Sequence, residues 1–248
     1  MSALFEARGL AKRFGDAVVL EDITLAFDSG RLSGIMGPNG AGKTTCFNCL
    51  TGRYKPDRGE VWFAGENITG LAPREIARRG IARSFQIMNL FDEYSALENV
   101  LVAQPGQRDR GFDVLGDLAR QSALVDEAAG VLAKVGLRAK AHERAKRLPY
   151  GERRALEIAV ALAARPRLLF LDEPTAGLGA EATARLADLI ESLKREVTIV
   201  VIEHDMRFLF RLADRISVIH WGQVIAAGTP AELRANPWVQ RSNLGALA

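Results

Sequence analysis

Residues 37 to 44 read Gly-Pro-Asn-Gly-Ala-Gly-Lys-Thr, a complete match to the pattern GxxxxGK[ST]. Gly37, Gly40 and Gly42 permit a tight turn that points several N–H groups into one concavity, and such a nest holds phosphate oxygens. The Lys43 cation can reach the outer phosphates, and the Thr44 hydroxyl can hold Mg²⁺. By itself the loop indicates a nucleotide phosphate and names no reaction. The reaction chemistry comes from far downstream. Asp172-Glu173-Pro174 ends the apolar run Leu168 to Leu171, and Glu203-His204-Asp205 ends a second run, Val197 to Ile202. One carboxylate at a strand end can hold Mg²⁺ through water, and a second can orient or deprotonate a water for attack on a γ-phosphate. Phosphoryl transfer needs positioning and charge neutralisation more than covalent help, so these few groups suffice.

These residues need elements to position them. Leu32, Ile35 and Met36 precede the glycine-rich loop as a buried strand would, and Thr44 to Leu50 can continue as a helix whose N-terminus faces the anion. The unbroken apolar run 168–171 fits a parallel strand covered on both faces. Ligands in open α/β sheets sit at the carboxyl ends of strands, so three strand ends converge: the loop, Asp172/Glu173 and His204. Ala182, Leu186, Leu189, Ile190 and Leu193 trace one helix face between the last two strands, a βαβ pattern that predicts a parallel sheet. Before residue 70, short apolar runs alternate with turns at Leu4 to Leu10, Ile23 to Phe27 and Val61 to Phe63, as in a β-subdomain. Residues from about 88 to 164 read as mainly helical. Gln104 to Gly111 carries Pro, Gly and charges and reads as a flexible connection. Pro230 to Ala248 reads as short helices.

Composition bounds the rest. The chain has 248 residues, enough for one large α/β domain, and 33 basic against 30 acidic residues, too even to argue for nucleic acid. Arg78-Arg79, Arg144 to Arg147 and Arg153-Arg154 read as solvated helix faces. No apolar stretch reaches the roughly 20 residues needed to cross a bilayer, and no basic start followed by an apolar segment marks a secretory signal. Cys46 and Cys49 form a CxxC pair without the further ligands of a zinc site, so they read as packed side chains of the helix after the loop. His142 and His220 have no partner motif and read as structural.

The order and spacing of these motifs resemble the nucleotide-binding subunits of ABC transporters over nearly the whole chain. Residues 37–44 resemble the Walker A motif, 168–173 Walker B with Glu173 as catalytic glutamate, and Gln86 the Q-loop glutamine. Leu148-Pro149-Tyr150-Gly151-Glu152 occupies the signature position, usually LSGGQ. Ala176-Gly177-Leu178-Gly179 falls at the D-loop, His204 at the switch histidine, and Phe14 at the aromatic that stacks on adenine.

The resemblance implies an α/β P-loop NTPase fold, with a RecA-like parallel core, an antiparallel β-subdomain and an inserted helical subdomain. One ABC ATPase domain would span 1–248, with core and β-subdomain at about 1–87 and 165–248 and the helical part at about 88–164. It implies ATP and Mg²⁺ as cofactors. ATP would be held by Phe14, Gly37, Pro38, Asn39, Gly40, Ala41, Gly42, Lys43, Thr44 and Thr45. Across a head-to-tail dimer, Tyr150, Gly151 and Glu152 would complete the site. Thr44, Gln86 and Asp172 would serve the metal, and Glu173, His204, Gln86 and Lys43 catalysis.

The subfamily resemblance, carried by Ala82-Arg83-Ser84-Phe85-Gln86, Glu98 to Ala103, Ile202 to Met206 and the ending Asn236-Pro237 to Leu244-Gly245, is to ATPases of branched-chain amino acid importers. Related cassettes serve urea, amide and aromatic-acid importers. The implied partners are two transmembrane permease subunits, a second ATPase subunit (a heterodimer favoured over a homodimer) and, indirectly, an extracytoplasmic binding protein, with no nucleic acid. The large apolar residues among Ile87 to Tyr94 would receive the permeases. The implied location is the cytoplasmic face of the inner membrane. Two departures stand out: Pro149 replaces the signature serine, and Gly179 the D-loop aspartate. The alternatives are an ATPase of lipopolysaccharide extraction, or a weakly hydrolysing partner subunit.

Overall fold

Strands covered on both faces are rich in apolar residues, and the architecture follows from three such strands. The computed structural model describes residues 3–84, 89–105 and 122–241. In chain order the elements are β1 (Phe5–Phe14), β2 (Ala17–Phe27), β3 (Leu32–Met36), α1 (Lys43–Leu50), β4 (Arg58–Phe63), β5 (Glu66–Asn67), α2 (Pro73–Arg78), β6 (Ile81–Arg83), α3 (Ala96–Ala103), α4 (Ser122–Lys134), α5 (Tyr150–Ala163), β7 (Leu168–Asp172), α6 (Ala180–Leu193), β8 (Thr198–Ile202), α7 (Met206–Leu212), β9 (Arg215–His220), β10 (Gln223–Gly228), α8 (Pro230–Ala235) and α9 (Pro237–Arg241).

Every residue of β3, β7 and β8 is buried. The strands form one ten-stranded sheet in the order β5-β4-β1-β2-β10-β9-β3-β8-β7-β6. Neighbours from β9 through β6 run parallel, while β1, β2, β4 and β5 pair antiparallel. The β9–β10 hairpin joins the two regions, meeting β2 at the single pair Gln223–Asp22. Ile202 lies opposite both Ile35 and Asp172, so β3, β7 and β8 end at one level. That register brings the three strand ends together.

Side chains alternate across the sheet with period two. Leu169, Leu171, Ile199 and Val201 face the core beneath α3, α5, α6 and α7. Leu168, Phe170, Val200 and Ile202 face a second core with α1 and the antiparallel strands. There Phe170 meets Phe5, Phe27 and Phe47 edge-on, with centroids 5.4, 6.3 and 5.8 Å away, the geometry ring quadrupoles favour. Burying each such ring contributes about 1.5–3 kcal/mol.

Between residues 89 and 164 the described elements are α3, α4, α5 and two short 3₁₀ turns, and the three helices pack on one another. Helix α3 starts at a capping box in which Ser95 accepts from the Glu98 N–H (3.2 Å) and Glu98 accepts from the Ser95 N–H (2.6 Å). Asn99, buried, accepts from the Phe91 N–H at 2.8 Å and donates to the Phe91 carbonyl at 3.1 Å, so it pins the loop before the helix.

Three expectations change. β1 and β2 extend beyond the apolar runs 4–10 and 23–27, because a two-residue turn at Gly15-Asp16 lets the flanking residues keep pairing, as at Arg13–Val18 and Phe14–Ala17. Gln104 does not open a flexible connection: it is 1% exposed and donates to the Leu124 carbonyl at 3.2 Å. Residues 106–111 of that segment lie outside the described residues, as do 242–248 of the final stretch. Arg154 is not a solvated helix face. It is 1% exposed and paired with Glu157 at 2.7 Å, one turn along α5.

Candidate active site at the ends of β3, β7 and β8

The loop between β3 and α1 is shaped by glycine. Gly40 and Gly42 hold φ of 78° and 98°, in the left-handed region closed to most side chains. At Gly37 an added Cβ would lie 2.1 Å from the Ile219 carbonyl oxygen, so β9 forms the floor of the loop. The β9–β10 turn reinforces this contact, the Gly222 N–H donating to the Ala41 carbonyl at 3.1 Å. Helix α1 begins at Gly42 with no side-chain cap. Its first N–H groups face outward, an arrangement suited to an anion. Pro38 is half-buried, Ala41 buried, and Asn39 and Thr44 exposed at the mouth with Thr45 partly covered beside them. Lys43 is 6% exposed and its Nζ donates to the carbonyls of Gly37 (2.8 Å) and Pro38 (2.9 Å). Burial lowers its pKa, opposed by the carboxylates of Glu173, Asp172 and Glu203.

Asp172 closes β7 and is 5% exposed. Its carboxyl pKa is pushed up to about 6, first by burial and then by the charge of Glu173, with Arg83 opposing. Added positive charge beside such a carboxyl would favour its ionised form further. Glu173 follows with φ of 44°, a conformation rare for a non-glycine residue. Its N–H donates to the Ile202 carbonyl at 2.8 Å, which locks it to the end of β8. His204 is exposed and its Nδ1 stands 3.6 Å from Glu173 Oε1 and 3.7 Å from Glu203 Oε2. These distances are too long for hydrogen bonds and place the imidazole between the two carboxylates.

The structure therefore brings Gly37 to Thr45, Asp172, Glu173 and His204 to one strand-end cluster. Phe14 stands at the end of β1, 46% exposed, its ring edge-on to Tyr54 at 5.4 Å and near the Lys12 ammonium at 5.6 Å. Tyr150, Gly151 and Glu152 belong to the start of α5. That helix begins after Pro149, again with no side-chain cap, and Glu152 is tied to Lys140 at 2.6 Å. The Tyr150 hydroxyl donates to the Ala176 carbonyl at 3.2 Å, and its ring lies over Gly177. Gln86 lies outside the described residues. Cys46 and Cys49 are buried free thiols in α1, and burial pushes both pKa values up, that of Cys49 to about 11.

Sequence reasoning missed two contributors. Arg83 donates to Thr51 Oγ1 at 2.8 Å and lies over the Phe47 ring at 4.5 Å, joining β6 to α1. Glu203 is fully buried beside the cluster. Its signal was available, since it follows an apolar strand just as Asp172 does.

Glycine-cradled N–H groups, a lysine, two adjacent carboxylates and a histidine at one sheet edge can bind a nucleotide triphosphate and direct water at its terminal phosphorus. Comparison with known proteins agrees. Residues 20–176 match the ABC transporter family model. The chain is 42% identical to the high-affinity branched-chain amino acid transport ATP-binding protein LivG of Salmonella typhimurium, over 98% of both chains. It is also 42% identical to BraF of Pseudomonas aeruginosa, over 98% of both. The lipopolysaccharide export ATP-binding protein LptB of Acidithiobacillus ferridurans is 34% identical, over 99% of this chain and 98% of that one. Among solved structures, the ADP conformation of MJ1267, an ATP-binding cassette of an ABC transporter, superposes with a TM-score of 0.86 at 28% identity, covering 99% of this chain and 100% of that one. The α/β sheet, the phosphate-binding loop and these relatives agree: the chain belongs to the ABC transporter family of ATP-binding ATPase subunits.

Proposed function

We propose that this subunit hydrolyses ATP to power import of branched-chain amino acids or related small polar solutes. One observation supports it above the others: β3, β7 and β8 end at one level, which sets Asp172, Glu173 and His204 together, with Lys43 at the start of α1 near enough to feel the charges of Asp172 and Glu173. The N–H groups of the loop and Lys43 bind the β- and γ-phosphates, and Phe14 stacks on the adenine. Thr44 and Asp172 suit Mg²⁺, since a cation would offset the burial and the neighbouring carboxylates that disfavour the ionised Asp172; Gln86 is the further ligand in this reading. When bound, Mg²⁺ neutralises phosphate charge. Glu173 holds the attacking water and accepts its proton, and His204 faces the same spot as a hydrogen-bond donor. Tyr150, Gly151 and Glu152 present the start of α5 to the nucleotide of a partner ATPase subunit, head to tail.

In this reading residues 88–164 form the helical subdomain, and 1–87 with 165–248 the core and β-subdomain. No helix among the described residues is long and apolar enough to cross a membrane. Two permease subunits at the cytoplasmic face supply the channel, and a second, different ATPase completes the pair. The higher identity to LivG and BraF than to LptB favours solute import over lipopolysaccharide extraction.

Glu173→Gln tests the chemistry. It is expected to bind MgATP, to lower kcat by about 100-fold or more, and to accumulate as an ATP-bound dimer in size-exclusion chromatography. Normal turnover removes Glu173 from the base role. Purification from native membranes tests the machine: co-purifying multi-span permeases and a second ATPase support it, and only soluble companions sink it.

A further inference from the structure

Glu203 directly follows β8 with its side chain wholly removed from water. A carboxylate taken out of water costs several kcal/mol unless donors replace the lost solvent. Here the donors come from two separate pieces of the site. Oε1 accepts from the Thr175 N–H at 2.9 Å and from the Thr175 hydroxyl. Oε2 accepts from the His204 N–H at 3.1 Å, with the Asp205 N–H at 3.4 Å. One oxygen grips the turn that follows Glu173, and the other grips the backbone of His204. Glu173 is fixed from its other side by its N–H bond to Ile202. Nothing in the packing of β8 calls for a carboxylate here: its neighbours Val200, Val201 and Ile202 are buried and apolar.

We infer that Glu203 is a positioning residue for hydrolysis, its two oxygens setting the placement of Glu173 relative to His204. The inference rests on the roles proposed above for those two residues. It concerns geometry reached in the transition state rather than direct phosphate contact: Glu203 shares no hydrogen bond with the Gly37–Thr45 loop, and its charge, which acts on Lys43, is left intact in Thr175→Val.

The test is steady-state ATPase kinetics of full-length Glu203→Gln, Thr175→Val, Thr175→Ser and the Glu203→Gln/Thr175→Val double variant, each with its partner subunits. Glu203→Gln keeps the volume but presents an amide N–H to an N–H donor. Thr175→Val removes the hydroxyl and keeps the shape. Each is expected to lower kcat about tenfold with KM for ATP held within about twofold, and Thr175→Ser to restore kcat. The double variant is expected to be no slower than the worse single variant, the mark of a shared contact. Wild-type kcat in Glu203→Gln, a rise in KM equal to the fall in kcat, or effects that multiply would each overturn the inference. If Glu203→Gln does not fold, Thr175→Val with rescue by serine decides alone. Glu173→Gln runs alongside: if it turns over normally, the site reading fails; if it is inactive while Glu203→Gln and Thr175→Val behave as wild type, only this inference fails.

Discussion

Helices α1 and α5 begin in the same way and stand in opposite surroundings. Each starts without a side-chain cap, α1 at Gly42 and α5 at Pro149. Beneath the start of α1 lie buried Lys43, Asp172 and Glu203, with Glu173 partly covered. The start of α5 opens on solvent, with Tyr150 45% exposed and Gly177 and Gly179 exposed beside it. Both termini can attract an anion through their free N–H groups, but at α1 the buried Lys43 sits at the helix start beside the buried carboxylates of Asp172 and Glu203, whereas the buried cation of α5, Arg154, lies further along the helix and is paired with Glu157. One chain therefore carries one chemically equipped anion site and one bare one. A complete site on the proposed reading needs the bare terminus of a partner set against the equipped terminus of this chain.

Five changes would break or sharpen that contrast, one of them a control. Gly37→Ala has the largest expected effect, because its Cβ would meet backbone at 2.1 Å and the β9 floor cannot move aside. We expect loss of nucleotide binding in titration and about 3 kcal/mol of destabilisation in denaturant unfolding. Gly179→Ala, with nothing within 4 Å of its added Cβ, should cost under about 0.5 kcal/mol in the same experiment.

Asp172→Asn comes next and reads the electrostatics of the equipped site. The folded-state pKa of Asp172, about 6, lies above the ordinary 3.8. As pH rises from 3.8 to 6 the unfolded chain releases this proton while the folded chain holds it, so wild-type stability falls. Metal-free Asp172→Asn should therefore match wild type near pH ~3.5. It should gain stability through that window, by at most about 3 kcal/mol above pH ~6. A difference independent of pH would refute the burial cost.

Pro149→Ser probes the bare terminus by restoring a hydroxyl at the start of α5. Turnover should rise by no more than about tenfold, the worth of one neutral hydrogen bond. An unchanged kcat makes the missing hydroxyl irrelevant. Lys140→Ala removes the ion pair with Glu152, whose side chains are 45% and 33% exposed. Thermal unfolding should register less than about 0.5 kcal/mol.

The equipped site was largely legible in the amino-acid sequence, because phosphate chemistry demands particular residue types at fixed spacing: glycines before Lys43, and carboxylates after an unbroken apolar strand. The parallel core was legible for a related reason, since only strands covered on both faces read as continuous apolar runs. Residues whose environment is set by distant chain were not. Arg154 and Glu157 stand three apart on a helix, the spacing of an ordinary exposed pair, and only the packing of α5 on the sheet buries them. Glu203 looked like one more carboxylate beside a histidine until Thr175, 28 positions earlier, closed on it. Ala17 to Leu20 open β2 with four apolar residues before Glu21-Asp22, and Lys12-Arg13 interrupt the end of β1, so neither stretch alternates as a half-buried strand does. At the start of α5, departures from the family pattern were visible at Pro149, but the packing of Tyr150 on Gly177 was not.

The β9 floor beneath the phosphate loop also bears on how the protein is made. The loop is synthesised early, yet it rests on Ile219 and is tied through Ala41 to Gly222, and β3 is flanked by β8 and β9. At typical elongation rates, the ribosome needs roughly 10 to 35 seconds to travel from Thr44 to Gly222. During that interval the nascent chain displays the whole nucleotide motif without the strands that give it shape. Capture of ATP thus waits for strands made long after the loop, and nucleotide in the surrounding solution can stabilise only those chains whose β8 and β9 have already docked.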